Sequence, residues 1–351
     1  MNVWHLVFRT ESLTYTVAKA LSVGGHDVFV WVVNPEFDAA RAGGIQKRLR
    51  DTPHVRIVAG DDSRLPSEID RLIVQVHPRP TESLADVDPL ASRARRITLI
   101  TAGDRSRAWR EAMKLQWFET RRLARHADRI DRVLYKDGFH PFDLHRLSMR
   151  RLPLGFDAHS HFLHDPEAFR AIHARDWDPD ARRPIRANFL GSKDPAIRTS
   201  VLDTVRPLFR RAGENPTPAS TGKSMFWHEY SDAAPDVLDP LEFVKVLTRS
   251  DFTLCPRGYS RVTHRPIEAL LRGSIPVLAA DELDLYGIPL EEGVNCVGVP
   301  RDEWARAVAE LADFGEQELA RMRANIHAMF ARYLDYAAIS QGIRVRLGIG
   351  S

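Results

Sequence analysis

The chain has 351 residues, 44% of them hydrophobic, which is enough for about two packed domains. Its 50 basic and 47 acidic side chains leave a net charge of +3, and they form no basic stripe with interleaved aromatic residues, so nucleic acid is not an expected partner. No apolar stretch approaches the ~20 residues of a membrane span, and residues 1–13 indicate a first strand rather than a signal peptide. We expect a cytoplasmic protein, with peripheral contact at the inner membrane as an alternative.

The first half of the chain predicts alternating strands and helices. A strand at 2–8 is followed by a helix from residue 11 that ends at Gly24 and Gly25, and by a second strand at 27–33. This order is the start of a parallel βαβ unit. Apolar runs predict further strands at 55–59, 71–76, 96–101 and 132–135, with a helix at 106–126. The pattern is typical of a doubly wound α/β domain.

A second α/β series follows a connection that is rich in Pro, Gly and His. The predicted strands are 186–192, 251–256, 274–279 and 295–300, and the predicted helices are 195–211, 239–250, 264–273 and 301–336. The predicted layout is an N-terminal Rossmann-like domain over 1–155, a linker over 156–185, a C-terminal Rossmann-like domain over 186–330 and a helix or tail over 331–351. The two domains are expected to face each other across a cleft, with the last helix folding back across the first domain, and ligands should gather at the carboxyl ends of strands.

The segment "PRGYSRVTHRPIEALLRG" carries the strongest chemical signal. Pro256 and Gly258 form a turn directly after a predicted strand, and a helix begins near Arg265. A helix start with several cations is suited to an anion, because its N–H groups and the guanidinium groups all donate hydrogen bonds to phosphate oxygens. The cations are Arg257, Arg261, His264 and Arg265. We interpret the segment as a diphosphate site; the alternative is a set of solvated surface charges.

Glu268 lies one helical turn after Arg265, so both side chains share one face of the helix. A carboxylate in this place can accept hydrogen bonds from the hydroxyls of a ribose, as an acid does in dinucleotide-binding folds. The alternative for Arg265 and Glu268 is a plain surface ion pair.

Four stretches resemble the donor-binding half of the exostosin family of glycosyltransferases: "SDFTLCPRGY", "HRPIEALLRGSIPVL", "FLGSKDPAIR" and "EFVKVLTRS". The resemblance covers about residues 186 to 310. It implies a GT-B fold, a nucleotide sugar as donor, usually linked to UDP, and inversion at the anomeric carbon. Matched by position, the donor would contact Arg257, Gly258, Tyr259, His264, Arg265 and Glu268, with Ser192, Lys193 and Arg198 as secondary contacts.

Two positions depart from the family pattern. Ser274 stands where the family usually has a cysteine, and His264 stands where a small residue is common. The chain also lacks the N-terminal membrane anchor of eukaryotic members, which favours a bacterial type of relative with a role in polysaccharide biosynthesis. The acceptor would be a glycan or a lipid-linked glycan.

An inverting transfer needs a base that takes the proton of the acceptor hydroxyl. Four side chains follow predicted strands of the first domain: Asp104, Glu11, His77 and Asp137. We prefer Asp104, because a neighbouring arginine keeps it ionised and Gly103 opens access. It could also cap the helix that starts near Ser106, and Glu11 could cap the first helix.

Neither a metal nor a cofactor is predicted. The alternating acids of "RDWDPDARR" (175–183) lie in a linker and indicate a solvated loop, and His159, His161 and His164 lie in the same connection without a supporting helix. Cys255 and Cys296 have no metal-binding spacing and are expected to be reduced core thiols.

A metal-independent, inverting glycosyltransferase is therefore the leading hypothesis. The alternatives are an epimerase of nucleotide sugars or a phosphorylase with the same architecture, and a catalytically silent subunit that binds a glycan or a partner. A dehydrogenase is disfavoured because no G-x-G-x-x-G motif follows a strand.

Overall fold

A computed structural model describes most of the chain. The described residues are 1–7, 12–33, 43–59, 66–76, 87–101, 124–126, 128–135, 162, 165–194, 196–214, 222–231, 236–258 and 262–349. They form two compact units, of which the first comprises Met1–Ser160 with Ala337–Ser351 and the second comprises His161–Tyr336.

The first unit is built on a parallel sheet of six strands. The strands are β1 (Asn2–Val7), β2 (Asp27–Val32), β3 (Val55–Ala59), β4 (Ile69–Val76), β5 (Ala94–Thr101) and β6 (Ile130–Tyr135). Their order, β3-β2-β1-β4-β5-β6, is the order of the Rossmann fold. The central strand β1 is almost entirely buried, because it pairs with β2 on one side and with β4 on the other.

Four described α-helices belong to this unit: α1 (Ser12–Val23), α2 (Gly43–Arg50), α3 (Val87–Arg93) and α10 (Tyr336–Leu347). The helix α1 ends where predicted, since Gly25 takes a left-handed backbone with φ of 73° and the His26 N–H donates to the Leu21 carbonyl at 3.2 Å. The predicted helix at 106–126 lies outside the described residues except for its last turn, Ala124–His126, which is 3₁₀.

The last helix packs on the first unit, as predicted. The Arg344 guanidinium donates to the carbonyl of Ala20 in α1 at 3.0 Å. The Arg132 guanidinium on β6 donates to the carbonyls of Val345 and Arg346, at 3.1 and 2.9 Å. Carbonyls in the last turn of a helix have no partner within the helix, and these two arginines donate to such carbonyls at the ends of α1 and α10.

The second unit is built on a parallel sheet of five strands. They are β7 (Ile185–Ser192), β8 (Ser224–Tyr230), β9 (Ser250–Leu254), β10 (Ile275–Ala279) and β11 (Val297–Val299), in the order β11-β10-β9-β7-β8. The described α-helices are α4 (Pro166–His173), α5 (Ala196–Glu214), α6 (Pro240–Arg249), α7 (Arg265–Leu271), α8 (Trp304–Glu310) and α9 (Glu316–Met329).

Three shorter helical segments complete the second unit. Ala280–Leu285 and Leu311–Asp313 are 3₁₀ helices, and Phe330–Leu334 is a π-helix directly after α9. None of the helices among the described residues combines the length and the apolar character that crossing a bilayer requires.

Strand β7 positions the residues of the candidate site at its carboxyl end. It lies between β9 and β8, every one of its eight residues is buried, and it ends at Ser192. Because all of these strands are parallel, the segments that follow β7 and β9 leave the same edge of the sheet. The carboxyl ends of β7 and β9 therefore bring Gly191–Lys193 and Cys255–Gly258 to one region.

The segment 175–183 is solvated at its acids, as predicted, but not along its whole length. Its acidic side chains are exposed, while Trp177 is 6% exposed and Arg183 is 3% exposed. The Trp177 indole N–H donates to the Leu271 carbonyl at 2.9 Å, and Arg183 donates to the Ser250 carbonyl at 2.9 Å. The prediction of a solvated loop therefore holds for the acids and fails for Trp177 and Arg183, because these two find partners that are distant in sequence.

Candidate functional site

Arg198 joins the ends of β7 and β9. It lies in the first turn of α5, and its Nη1 donates to the Ser192 carbonyl at 2.9 Å. Its Nε donates to the Arg257 carbonyl at 3.2 Å. Ser192 is the last residue of β7, and Arg257 follows the end of β9. The guanidinium therefore fixes the two turns relative to each other.

Gly258 is required for that contact. A Cβ on Gly258 would collide with the Arg198 guanidinium and would lie 3.4 Å from the Cγ2 of Thr263. The glycine is buried. The structure thus gives this position a packing reason besides the predicted approach of a ligand, since only a residue without a side chain admits the Arg198 guanidinium.

Arg265 lies close to the end of β7. A Cβ built on Gly191 would be 3.5 Å from the Arg265 Nη2, which places the guanidinium against that glycine. The guanidinium carbon is 4.4 Å from the centroid of the Phe243 ring. This cation–π contact with α6 holds the guanidinium in one place. The side chain is 16% exposed, so it retains access to solvent.

Glu268 forms an ion pair with Arg265. Its carboxylate Oε2 is 3.4 Å from the Arg265 Nη1, and its side chain is 0% exposed. At this distance the two groups form an ion pair rather than a well-aligned hydrogen bond. Because the carboxylate has no exposed surface, its charge interacts with the neighbouring Arg265 guanidinium rather than with solvent. The predicted hydrogen bond to a ribose stays a prediction.

The turn before α7 is anchored by a buried tyrosine. The Thr263 N–H donates to the Tyr286 hydroxyl at 3.1 Å, and burial raises the pKa of that hydroxyl well above its usual range. The helix α7 has seven residues, and its N-cap residue His264 makes no side-chain capping hydrogen bond. The anion-binding role that the sequence assigned to this helix start stays a prediction.

The charges of this region leave an excess of cations. Lys193 is exposed, and its N–H donates to the Tyr230 carbonyl at 2.8 Å, so it lies at the end of β8. The Ser192 hydroxyl accepts from the Asp194 N–H at 3.1 Å. The segments at the ends of β7 and β9, with α5 and α7, carry four cations and two carboxylates: Lys193, Arg198, Arg257 and Arg265, and Asp194 and Glu268. We call these six residues and Gly258 the arginine cluster.

A buried polar ladder connects the strands beneath the cluster. The Asn188 amide donates to the Phe252 carbonyl at 3.1 Å and to the Thr253 hydroxyl at 2.9 Å. The Thr253 hydroxyl in turn lies 2.7 Å from the hydroxyl of Ser274. Ser274, where the exostosin pattern has a cysteine, therefore has a hydrogen-bond partner in this core.

Both cysteines are buried and free, as predicted. Burial raises the pKa of the Cys255 thiol far above its usual range, while the charges of Arg265 and Arg198 act in the opposite direction. Burial also raises the pKa of Cys296 to about 12. Neither thiol is a nucleophile at neutral pH, because only the thiolate reacts.

Several predicted site residues lie outside the part of the chain that the structure describes. They are the four base candidates Asp104, Glu11, His77 and Asp137, the donor residue Tyr259, Arg261, and the histidines His159, His161 and His164. Their roles stay predictions. Within the described ranges, no group of three or more His, Cys, Asp or Glu side chains is arranged to hold a metal ion.

Two residues of the site were not singled out from the sequence. Phe243 supports Arg265, and Tyr286 supports the turn at Thr263. Phe243 lies in the helix "EFVKVLTR", where it reads as an ordinary core position of an amphipathic helix. Nothing in its spacing indicates the arginine on the next helix, so only the packing of α6 against α7 reveals its second role.

No protein-family model matches the sequence, and no curated protein matches it. Solved structures match it over nearly its whole length. The chain aligns over 99% of its length with 99% of Anabaena Alr3699/HepE in complex with UDP and glucose, at 12% sequence identity and a TM-score of 0.52. With the UDP complex of the same protein the chain aligns over 99% of its length and 100% of that chain, at 12% identity and a TM-score of 0.54.

A third match is the N-terminal domain of trehalose-6-phosphate phosphatase from Candida albicans. It covers 99% of this chain and 98% of that chain, at 10% identity and a TM-score of 0.56. Sequence identities this low establish a shared architecture only. Together with the two parallel sheets and their alternating helices, these matches show that the chain has the GT-B fold.

Proposed function

We propose that this protein is a glycosyltransferase that moves a sugar from a nucleotide-sugar donor, linked to UDP, to a hydroxyl of a glycan or glycolipid acceptor. The proposal includes inversion at the anomeric carbon, chemistry without a metal, and kinship with the exostosin family in a role in polysaccharide biosynthesis. The observation that carries it is the arginine cluster at the carboxyl ends of β7 and β9, where open α/β sheets bind their ligands.

The charge of the cluster matches that of a diphosphate. Its four cations exceed its two carboxylates by two, and the diphosphate of a nucleotide sugar carries two negative charges. Arg265 is positioned before any ligand arrives, because the Phe243 ring and the Glu268 carboxylate hold it. A guanidinium that is already in place loses little freedom on binding, and it stabilises the charge that develops on the departing diphosphate.

The residues of the cluster have different tasks in this proposal. We assign Arg265, Lys193 and Arg257 to the diphosphate; Lys193 is exposed and Arg257 is partly exposed. Arg198 is engaged with two backbone carbonyls, so it shapes the site. Glu268 is a positioning residue for Arg265. The UDP that Anabaena HepE binds favours UDP as the nucleotide here.

The acceptor hydroxyl must lose a proton while its oxygen attacks the anomeric carbon. Of the four base candidates, Asp104 remains the preferred one, for the reasons that its sequence context gives. The electron pair of the anomeric C–O bond leaves with UDP, and the oxygen–carbon bond that forms takes its place. The sugar then has the opposite anomeric configuration.

Turnover tests the proposal. The purified protein is incubated with UDP-glucose, UDP-N-acetylglucosamine and UDP-galactose, each with a set of oligosaccharide acceptors, and released UDP and products are measured. We expect UDP release that depends on the acceptor, persists in EDTA and is lost in Arg265→Gln. Product NMR should show an inverted anomeric centre.

Other outcomes contradict the proposal in distinct ways. An isomerised nucleotide sugar would identify an epimerase. A protein that binds UDP but releases no UDP from any donor, in any acceptor mixture, would be a silent binding subunit. Activity that disappears in EDTA and returns with a divalent cation would overturn the metal-independent part alone. An Asp104→Asn variant with unchanged turnover would remove Asp104 as the base.

A further inference from the structure

We infer that the second unit carries a separate binding site for a neutral saccharide, in the cavity between α5 and β8. The inference goes beyond the proposed transfer, since it assigns a second ligand and needs no turnover; the cavity adjoins the arginine cluster at Lys193, which also lines it. The cavity measures about 670 Å³, within the usual range of ligand pockets. Its walls come from α5 and from β8, which is the edge strand of the five-stranded sheet.

The floor of the cavity is an aromatic platform. Trp227 lies on β8 and is partly exposed. Its ring packs against Phe209 of α5, with centroids 4.9 Å apart, and against Phe189 of β7, with centroids 4.7 Å apart. The Arg206 guanidinium carbon lies 5.8 Å from the centroid of the same ring. The remaining surface of the partly exposed indole lines the cavity, so it offers apolar area next to polar neighbours.

A fixed polar rim surrounds that platform. The Arg206 guanidinium donates to Glu229 with its Nη2 at 2.7 Å and with its Nε at 3.2 Å, and its Nη1 donates to Asp203 at 2.9 Å. The Trp227 indole N–H donates to the same Glu229 carboxylate at 3.1 Å. The polar side chains are therefore oriented by one another before a ligand binds, which reduces the cost of ordering them.

The charge of the cavity decides the class of ligand. Its walls carry Lys193 and Arg206 against Asp203, Glu229 and Asp236, so acidic side chains are in the majority. Arg206 is engaged with two carboxylates, and an anionic ligand would face the carboxylates that remain. This balance disfavours phosphates and acidic sugars, unlike the arginine cluster, where cations are in excess.

A neutral ligand rich in hydroxyl groups fits both features. Carboxylates accept hydrogen bonds from hydroxyls, and each such charge-assisted bond is stronger than one between neutral groups. The carbon–hydrogen face of a sugar ring is apolar enough to lie on an indole ring. A saccharide has both kinds of surface, so we assign the cavity to a neutral oligosaccharide.

Direct binding tests the inference, with chitotriose, cellotriose and maltotriose as neutral probes and trigalacturonate as the acidic one. Saturation-transfer NMR and calorimetry on the full chain should detect at least one neutral probe and not trigalacturonate. We expect Trp227→Ala to weaken that binding by about tenfold or more, since buried aromatic anchors dominate binding energies. Affinity for UDP should stay within about twofold of wild type.

A second variant covers the case in which loss of Trp227 prevents folding. Asp203 is 59% exposed and Asp236 is exposed, so Asp203→Ala/Asp236→Ala should fold and should also weaken the neutral probe. The inference is overturned if no neutral probe binds at millimolar concentration, if both variants bind it like wild type, or if Trp227→Ala also loses UDP, which would assign the cavity to the donor site. A wild-type chain that binds the probe but not UDP would contradict the proposed function and leave this inference standing.

Discussion

The guanidinium of Arg265 lies over the ring of Phe243, with its central carbon 4.4 Å from the ring centroid. The two residues belong to different helices, so the contact couples the position of the arginine to the packing of α6 against α7. An arginine held in this way presents its hydrogen-bond donors in one orientation, which a freely rotating side chain would have to acquire on binding.

Removal of that ring should weaken UDP binding without unfolding the protein. Phe243→Leu keeps an apolar side chain in the core but loses the cation–π contact, so we expect UDP affinity to fall by about 3- to 30-fold. Calorimetry measures the change. The control is Phe314→Leu, another aromatic of the same unit, which packs on Phe252 instead. Equal affinities in the two variants would show that Phe243 does not position Arg265.

A methyl group at Gly258 should displace the Arg198 guanidinium and so disturb the turn that it holds. Gly258→Ala forces the guanidinium away from the carbonyls of Ser192 and Arg257, which we expect to cost about 1–3 kcal/mol of the free energy of unfolding and to weaken UDP binding. Gly342→Ala is the control, because its nearest neighbouring atom is 3.8 Å away and it lies inside α10. That variant should be as stable as wild type or slightly more so. Wild-type stability of Gly258→Ala in urea would contradict the role of Arg198.

Much of this fold and part of the site follow from local sequence. Strand, turn and helix around Pro256 and Arg265 were predictable because an apolar run, a Pro-Arg-Gly turn and a Pro at the first helical turn all lie within twenty residues. The same local logic brought Arg265 and Glu268 to one helix face, and their ion pair follows from that spacing.

The parts that were not predictable depend on contacts distant in sequence. Strand β8 was missed because it is an edge strand that is partly exposed along almost its whole length, so "SMFWHEY" shows no clean alternation. The contacts of Arg198 with backbone carbonyls were not predictable either, since one of those carbonyls lies 59 residues away. The buried state of Arg183 has the same cause, because its acceptor is the carbonyl of Ser250.

The buried histidine of β1 should make the stability of the protein sensitive to acid. Burial lowers the pKa of His5 from 6.5 to about 3, although Gln75 acts in the opposite direction. The unfolded chain therefore binds a proton below about pH 6.5 that the folded chain does not bind until about pH 3, so this contribution is complete above pH 6.5 and is lost as the pH falls. The loss is about 1.4 kcal/mol per pH unit, or about 2 kcal/mol at pH 5.

Urea unfolding at about pH 7 and pH 5 measures that loss. In His5→Leu the side chain cannot be protonated, so we expect a smaller difference between the two pH values than in wild type. The same difference in both proteins would show that His5 is not the group responsible.

Asp251 should be a major determinant of stability in the second unit. Its side chain is 0% exposed and accepts from Lys223 at 2.7 Å and from Arg323 at 2.8 Å, while Arg186 lies at 3.5 Å. Asp251→Asn leaves buried cations without their counter-charge, which we expect to cost about 3–5 kcal/mol in chemical denaturation. Asp281→Asn is the control, because its ion pair with Arg301 is exposed and should change stability by less than about 1 kcal/mol. A small effect at Asp251 would mean that the cluster relaxes without its carboxylate.

Calorimetric titration of UDP into wild type and Arg265→Ala tests most directly whether guanidinium groups after β7 and β9 hold a diphosphate. The matched variant is Arg301→Ala, an exposed arginine of the same unit. We expect wild type and Arg301→Ala to bind UDP alike and Arg265→Ala to bind it at least about tenfold more weakly. Full UDP affinity in Arg265→Ala, or no binding of UDP to wild type, would contradict the account.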